Sequence, residues 1–122
     1  MNYIDGFAFP ISSRQIDEYK RVAEKVAEIY REHGAKEYLE FVGDDLSREG
    51  TGSFPDMLSA KEGETIVFGW IVYESREVRD LVNQKIEADP RIAELVAPIV
   101  APNSQVFDPR RMAFGGFQSL LR

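Results

Sequence analysis

The segment from Thr65 to Tyr73 constrains the fold of this chain more than any other stretch. A β-strand points successive side chains to opposite faces of its sheet, and here both alternating sets are almost wholly apolar. The sets are Ile66, Phe68, Trp70 and Val72 on one face and Val67, Gly69, Ile71 and Tyr73 on the other. Apolar side chains on both faces are typical of a central strand that is covered on both sides. The fold must therefore supply a layer against each face.

Two amphipathic helices are predicted, one before and one after this strand. The first is expected to begin at Ser12, with Gln15 at the spacing of a capping box, and to end at Gly34. The second is expected to begin after Ser75 and to end at Asp89-Pro90, because the residue before a proline avoids the helical conformation. Each helix carries one apolar stripe at helical spacing, which indicates that it packs against the sheet.

Three further strands are predicted from alternating side chains, at Tyr3–Phe9, Ala35–Val42 and Arg111–Leu120. Pro10 is expected to end the pairing of the first strand. Gly115-Gly116 predicts a bulge or a close backbone approach within the last strand. The resulting order, β-α-β-β-α-β, is that of the ferredoxin-like α+β sandwich, an antiparallel four-stranded sheet with two helices on one face.

The remaining segments are predicted to be short and irregular. Residues 43–56 are expected to form a loop with a brief extended piece at Ser53-Phe54. Met57–Lys61 is expected to form either a helical turn or an extra edge strand. A short helix is predicted over Arg91–Val96, and Pro98 and Pro102 are expected to terminate it.

Composition limits the classes of function. The 122 residues suit a single domain over 1–122. The absence of cysteine excludes disulfides and thiolate metal sites. A net charge of −6 with scattered basic residues disfavours nucleic acid and anionic membranes as partners. No signal peptide and no apolar run long enough to cross a bilayer is found, so a cytoplasmic protein is expected.

Several runs, taken in their order along the chain, together resemble one bacterial family. The runs are Tyr3-Ile4-Asp5-Gly6-Phe7, His33-Gly34-Ala35 with Tyr38 and Glu40, Gly43-Asp44-Asp45, Ser53-Phe54-Pro55, Phe68-Gly69-Trp70-Ile71-Val72-Tyr73, Ser75-Arg76 with Arg79-Asp80, Asp89-Pro90-Arg91 and Gly115-Gly116-Phe117. They resemble the YbaA-like family of unknown function, within the dimeric α+β barrel superfamily. The resemblance covers nearly the whole chain.

What the resemblance implies is a fold and a homodimer, and no established activity, cofactor or catalytic residue. In relatives the open faces of two sheets pack together as a barrel-like dimer. The superfamily also contains cofactor-independent monooxygenases, dye-decolourising peroxidases and ligand-binding proteins, and a fold alone does not choose among them. A dimer is also expected because helices on one face of the sheet would leave a large apolar patch exposed on the other.

His33 and Glu40 are the candidate catalytic residues. The single histidine could serve as a general base, or it could simply complement the carboxyl end of a helix. Glu40 shares a strand face with Tyr38 and Val42. If that face lines a cavity, Glu40 is expected to be buried beside a tyrosine with a raised pKa. Asp44-Asp45 follows a glycine and fits an ordinary acidic turn, so no metal site is predicted.

The candidate ligand-binding residues are aromatic and basic. Tyr38, Trp70 and Tyr73 could stack on a planar ligand, although strand aromatics also belong to cores and interfaces. Arg76 and Arg79, in the first turn of the second helix, could clamp an anion or pair with neighbouring acids. Two functions are therefore open: a homodimer that binds or transforms a small organic molecule between sheet and helices, with His33 and Glu40 near one region, or a non-catalytic dimeric structural or partner-binding module.

Overall fold

The structure is a computed structural model that describes residues 2–100 and 106–121. Strands and helices alternate in the order expected for an α+β protein. Along the described chain they are β1 (Tyr3–Ser12), α1 (Ile16–Glu32), β2 (Glu37–Val42), α2 (Phe54–Met57), β3 (Glu64–Tyr73), α3 (Arg76–Ala88), α4 (Pro90–Val96) and β4 (Ala113–Gln118). Short 3-10 turns cover residues 13–15, 97–99 and 109–111. Within the described ranges, no helix is long and apolar enough to cross a membrane.

The four strands form one sheet in the order β2-β3-β1-β4. Every neighbouring pair is antiparallel. β3 pairs with β2 along one side and with β1 along the other, so the segment that is apolar on both faces is an inner strand. The α+β class and the four-stranded antiparallel sheet are therefore confirmed.

The helices cover one face of this sheet. The core cluster joins Phe9 of β1 and Ile71 and Tyr73 of β3 to Ile29 of α1 and to residues of α3. The alternating set that contains Val67, Gly69, Ile71 and Tyr73 thus points to the helices. Alternation alone did not determine which face of β3 the helices cover. Tyr73 and Phe9 are fully buried there.

The opposite side, called here the open face, carries a row of aromatic rings. Trp70 lies between Phe41, 5.2 Å away between ring centroids, and Phe68, 5.6 Å away. Phe54 at the start of α2 contacts Phe68 from the side, with centroids 5.7 Å apart. Phe41, Phe68 and Phe117 remain 54%, 43% and 57% exposed. Rings of this size are rarely left uncovered together on a monomer.

The start of the chain differs from its prediction at two points. β1 continues through Pro10, which pairs with Ile66, as far as Ser12. Beyond Ala8 only β3 pairs with β1, and proline is tolerated where one side of a strand is unpaired. Ser12 caps the 3-10 turn through a hydrogen bond from Arg14 rather than α1 itself. The helix therefore begins at Ile16, and the predicted capping box with Gln15 is wrong.

The connections on either side of β3 also differ from expectation. A helical turn forms earlier than predicted, over Phe54–Met57, because the Ser53 hydroxyl accepts a hydrogen bond from the Asp56 amide. β4 begins only at Ala113, since Arg111 donates to both carboxylate oxygens of Glu64 at 2.7 Å and belongs to the preceding turn. Pro102, a predicted helix terminator, lies outside the described residues.

Candidate functional site

A cleft of about 420 Å³ separates the edge strand β2 from α1. Ala23 and Ala27 lie on the side of α1 that faces the strand, and their small side chains leave this space open. The main residues of the α1–β2 cleft are Ile16, Tyr19, Ala23 and Ala27 of α1, Tyr38, Glu40 and Val42 of β2, and Val67 of β3. The cleft is therefore apolar apart from the hydroxyls of two tyrosines, Glu40, and charged groups of α1.

Glu40 is held in place by α1 and by the inner strand. The Tyr19 hydroxyl donates a hydrogen bond to Glu40 Oε1 at 2.5 Å. Across the sheet, Glu40 lies directly opposite Gly69. A Cβ atom on Gly69 would come within 2.9 Å of Glu40 Cγ and 2.6 Å of the Leu39 carbonyl oxygen. The absence of a side chain at position 69 is what lets the Glu40 side chain lie over β3.

Burial decides the protonation chemistry of this site. Burial raises the pKa of Glu40, and the hydrogen bond from Tyr19 opposes that rise. Burial and the nearby carboxylate charge raise the pKa of both Tyr19 and Tyr38, so these hydroxyls remain protonated donors. Glu40 lies beside a tyrosine and has a raised pKa, as expected, although it is only half-buried. Such a carboxyl can take or give a proton closer to neutral pH than an exposed one.

Tyr38 belongs to the cleft wall and to the core at once. Its ring meets Tyr30 edge-on at 5.1 Å and lies 6.3 Å from Phe7. These contacts fix the ring, so the part of Tyr38 that faces the cleft is a rigid wall.

His33 is separated from this site, and the expectation that it lies near Glu40 is wrong. It follows Tyr19 by fourteen residues along α1, which corresponds to about 21 Å of helix. His33 Nε2 lies 2.8 Å from Asp89 Oδ2. Arg91 binds the same Asp89 carboxylate and also Glu32. His33 therefore links the end of α1 to the junction of α3 and α4, a contact that neither interpretation of this residue predicted.

The structure does not bring Trp70 and Tyr73 into the cleft. Trp70 lies on the open face, stacked on Phe41 at 5.2 Å, so the sheet separates it from Glu40. Tyr73 lies on the helix face but is fully buried in the core. Neither residue is therefore placed to stack on a ligand in the α1–β2 cleft, and Trp70 instead lines a groove on the open face.

The predicted anion clamp of Arg76 and Arg79 is not formed either. Arg76 is exposed at the first position of α3. The Arg79 guanidinium lies over the Tyr3 ring, 4.9 Å from its centroid, and donates to the Tyr3 hydroxyl at 2.8 Å. Its Nε also lies 3.7 Å from Asp5 and 3.4 Å from Asp80. Arg79 is thus engaged by groups of its own chain.

Asp5 is a buried polar residue that the site prediction missed. It is 0% exposed, and its alternation with Phe7 and Phe9 could have indicated a carboxylate directed at the core. Burial raises the pKa of Asp5, while the positive charge of Arg79 opposes the rise. Only 19% of the Arg79 side chain is exposed, so Arg79 and Asp5 form a largely buried charge pair between α3 and β1. Gly116 of β4 provides the room for it, because a Cβ there would meet the Tyr3 hydroxyl and come within 2.9 Å of Arg79 Nη2.

Metal ligands do not converge anywhere in residues 2–100 and 106–121. No group of three or more histidine, aspartate or glutamate side chains in these ranges could hold an ion. Asp44 and Asp45 are both exposed beyond the end of β2.

Comparison with known proteins now places the chain in a family. The family described as "Protein of unknown function (DUF1428)" matches residues 2–108. The chain belongs to this family. "Uncharacterized protein YbaA" of Escherichia coli K12 is 37% identical over 121 residues, which cover 99% of this chain and 98% of that protein. The protein of the same description from Shigella flexneri has the same identity and coverage. The resemblance to YbaA-like proteins is therefore confirmed.

A solved structure supports the fold of this DUF1428 chain. The "Structure of Rv0793 from Mycobacterium tuberculosis" aligns with a TM-score of 0.57 and 14% sequence identity. The alignment covers 100% of this chain and 98% of that one. At this identity the likeness shows a related fold and says nothing about activity.

Proposed function

We propose that this protein binds a small, mainly apolar organic molecule in the α1–β2 cleft, with Glu40 as the group that binds its polar end and exchanges a proton with it. The observation that carries the proposal is the Tyr19–Glu40 hydrogen bond in a cleft whose walls are mainly apolar. A buried carboxylate costs free energy unless it is fully paired. Glu40 lines an open cleft with one oxygen unpaired among the described residues, whereas the buried Asp5 has the positive charge of Arg79 beside it. We therefore assign Glu40 to binding rather than to packing.

The dimensions of the cleft support this proposal. Ligand sites usually occupy about 300–1,000 Å³ and combine apolar walls with few polar groups. The α1–β2 cleft, at about 420 Å³, has this character. Glu40 takes the role of acid or base alone, because His33 is bound to Asp89 at the other end of α1.

The proposal is tested by screening small organic fragments against the wild type and against a variant in which a larger side chain fills the cleft. We expect small organic fragments to shift the amide NMR signals of Ala23, Ala27 and Glu40 in the wild-type protein. Ala23→Leu places a larger side chain into the cleft and is expected to abolish these shifts. Ala93→Leu is the matched control, since Ala93 is exposed on α4 and lines no part of the cleft. Fragments that bind Ala23→Leu as well as wild type would refute the proposal.

We also propose that two copies pair through their open faces as a ferredoxin-like, dimeric α+β barrel. The strand order β2-β3-β1-β4 and the helices on one face support the ferredoxin-like arrangement. The exposed rings of Phe41, Phe68 and Phe117 support the pairing, because a second copy would remove them from water. The same face favours a second candidate function, a non-catalytic module that binds a partner.

Sedimentation analysis separates these possibilities. We expect the wild type to sediment as a dimer at micromolar concentration and Phe68→Asp to sediment as a monomer. Leu81→Asp is the matched control, because Leu81 is similarly exposed at 55% but lies on α3. A wild type that is monomeric at this concentration would eliminate the dimer. A dimer together with no fragment binding would favour the non-catalytic module.

A further inference from the structure

The chemistry of the ligand can be narrowed from the free oxygen of Glu40. Oε1 accepts the hydrogen bond from Tyr19. Oε2 makes no hydrogen bond to any residue that the structure describes, and it is not among the fully buried unpartnered atoms. Since Glu40 lines the cleft, Oε2 is reached through it. A ligand that binds here meets an unpaired carboxylate oxygen, which accepts hydrogen bonds when Glu40 is ionised.

The carboxyl group of Glu40 favours a cation over a neutral donor. Hydrogen bonds between ionised partners are about twice as strong as neutral ones. Tyr19 and Tyr38 line the cleft beside the carboxyl group and limit its contact with water. Val42 and Val67 on the adjoining strands add apolar surface for a carbon skeleton.

The charged residues at the rim do not change this preference. Lys20 and Glu24 lie one helical turn apart on α1, 3.8 Å from each other, with 72% and 65% of their side chains exposed. Their charges balance and are screened by water. Lys20 therefore supplies no strong site for an anion, whereas Glu40 repels one.

We propose that the α1–β2 cleft binds a primary or secondary organic amine in its ammonium form, with the nitrogen donating to Glu40 Oε2 and the carbon skeleton against the apolar wall. This inference rests on the proposed function and names the class of molecule that the cleft takes. An ammonium group supplies both the donor that Oε2 lacks and the charge that Glu40 needs.

Three probes with one carbon chain and different head groups test the inference. Hexylamine, 1-hexanol and hexanoate are titrated separately into the full-length protein at neutral pH and followed by amide NMR. Hexylamine is expected to bind at least about tenfold more tightly than 1-hexanol, because its hydrogen bond to the carboxylate is charge-assisted. Hexanoate is expected to bind most weakly, since its charge matches that of Glu40.

Two glutamate variants show which carboxylate causes the preference for hexylamine. Glu40→Gln is expected to reduce the advantage of hexylamine over 1-hexanol to less than about threefold, because the charge-assisted part of the hydrogen bond is lost. Glu24→Gln removes the same charge from the exposed rim and is expected to keep the advantage. In wild type, hexylamine is also expected to lower the pKa of Glu40 in a carboxyl NMR titration, a readout that needs no variant.

The outcomes separate the two proposals. Equal binding of hexylamine and 1-hexanol, both lost in Ala23→Leu, would overturn the amine inference and leave the proposed cleft function standing. Tighter binding of hexanoate, or no binding of any of the three probes, would likewise overturn the amine inference. Binding that Ala23→Leu leaves unchanged would place the ligand outside the cleft and overturn both.

Discussion

Replacing Gly69 by alanine should destabilise the protein, because this position is where the sheet makes room for Glu40. The added methyl group would lie 2.6 Å from the Leu39 carbonyl oxygen, 2.7 Å from Phe7 Cζ and 2.9 Å from Glu40 Cγ. All three distances are shorter than real Cβ contacts. The Phe7 ring and the Glu40 side chain could move, but the Leu39 oxygen belongs to the backbone of the strand that pairs with β3.

The expected change in the free energy of unfolding combines two opposing contributions. Overpacking a well-packed site costs about 1–3 kcal/mol. Replacing glycine lowers the conformational entropy of the unfolded chain, and this stabilises the folded protein by about 0.4–1 kcal/mol. Because one of the three clashes is with backbone, we expect the upper part of the overpacking range and a net loss of about 2 kcal/mol. For a chain of this size that corresponds to a fall in Tm of about 8 °C.

Urea unfolding followed by circular dichroism measures this loss. Gly52→Ala is the matched control, since nothing lies within 4 Å of a Cβ at Gly52. The control is expected to leave stability unchanged or to raise it by up to about 1 kcal/mol. If Gly69→Ala were as stable as Gly52→Ala, the close packing of β3 against β2 at Glu40 would be refuted.

Three other substitutions test the electrostatics. Tyr19→Phe removes the donor to Glu40, so it should raise the pKa of Glu40 further and cost about 1 kcal/mol of stability; an unchanged pKa in a carboxyl NMR titration would contradict the hydrogen bond. Glu40→Gln should stabilise the protein against urea at alkaline pH, where burial penalises the ionised carboxyl. This advantage should disappear below about pH 4, where Glu40 is protonated in both folded and unfolded states, and a constant advantage at every pH would argue against burial as the cause. Asp89→Asn should remove a stabilisation that is complete above the unfolded pKa of Asp89 and is lost progressively below it, because Arg91 and then His33 lower the pKa of this carboxyl in the folded protein. The stability difference from wild type should therefore shrink steadily as the pH of urea unfolding falls below about 4, and a difference that did not change between about pH 5 and about pH 2 would show that the ion pairs do not cause it.

The elements of the fold could be predicted because each depends on local spacing. The apolar stripe of α1, the serine cap of α3 and the alternation of β3 are all periodic or neighbouring features. The ends of elements were less predictable. β1 passes through Pro10 because pairing with β4 has already stopped at Ala8, and this depends on a strand more than one hundred residues later.

The site could be predicted only in part, because its contacts join residues that lie far apart in the sequence. Alternation placed Tyr38 and Glu40 on one face, and a raised pKa for Glu40 followed if that face were covered. The hydrogen bond from Tyr19 reaches across 21 positions of the chain. His33 pairs with Asp89 across 56 positions, which removes it from the group around Glu40.

The sequence by itself determined the α+β class, the family, the two-faced inner strand and the side of β2 that carries Glu40. Only the tertiary structure decided that the Glu40 side faces α1, that a cleft opens there beside Ala23 and Ala27, and that Trp70 lies beyond the sheet. The physical reason is that the period of a helix or strand is set by its own backbone. The distance between two elements is set by how all side chains pack together.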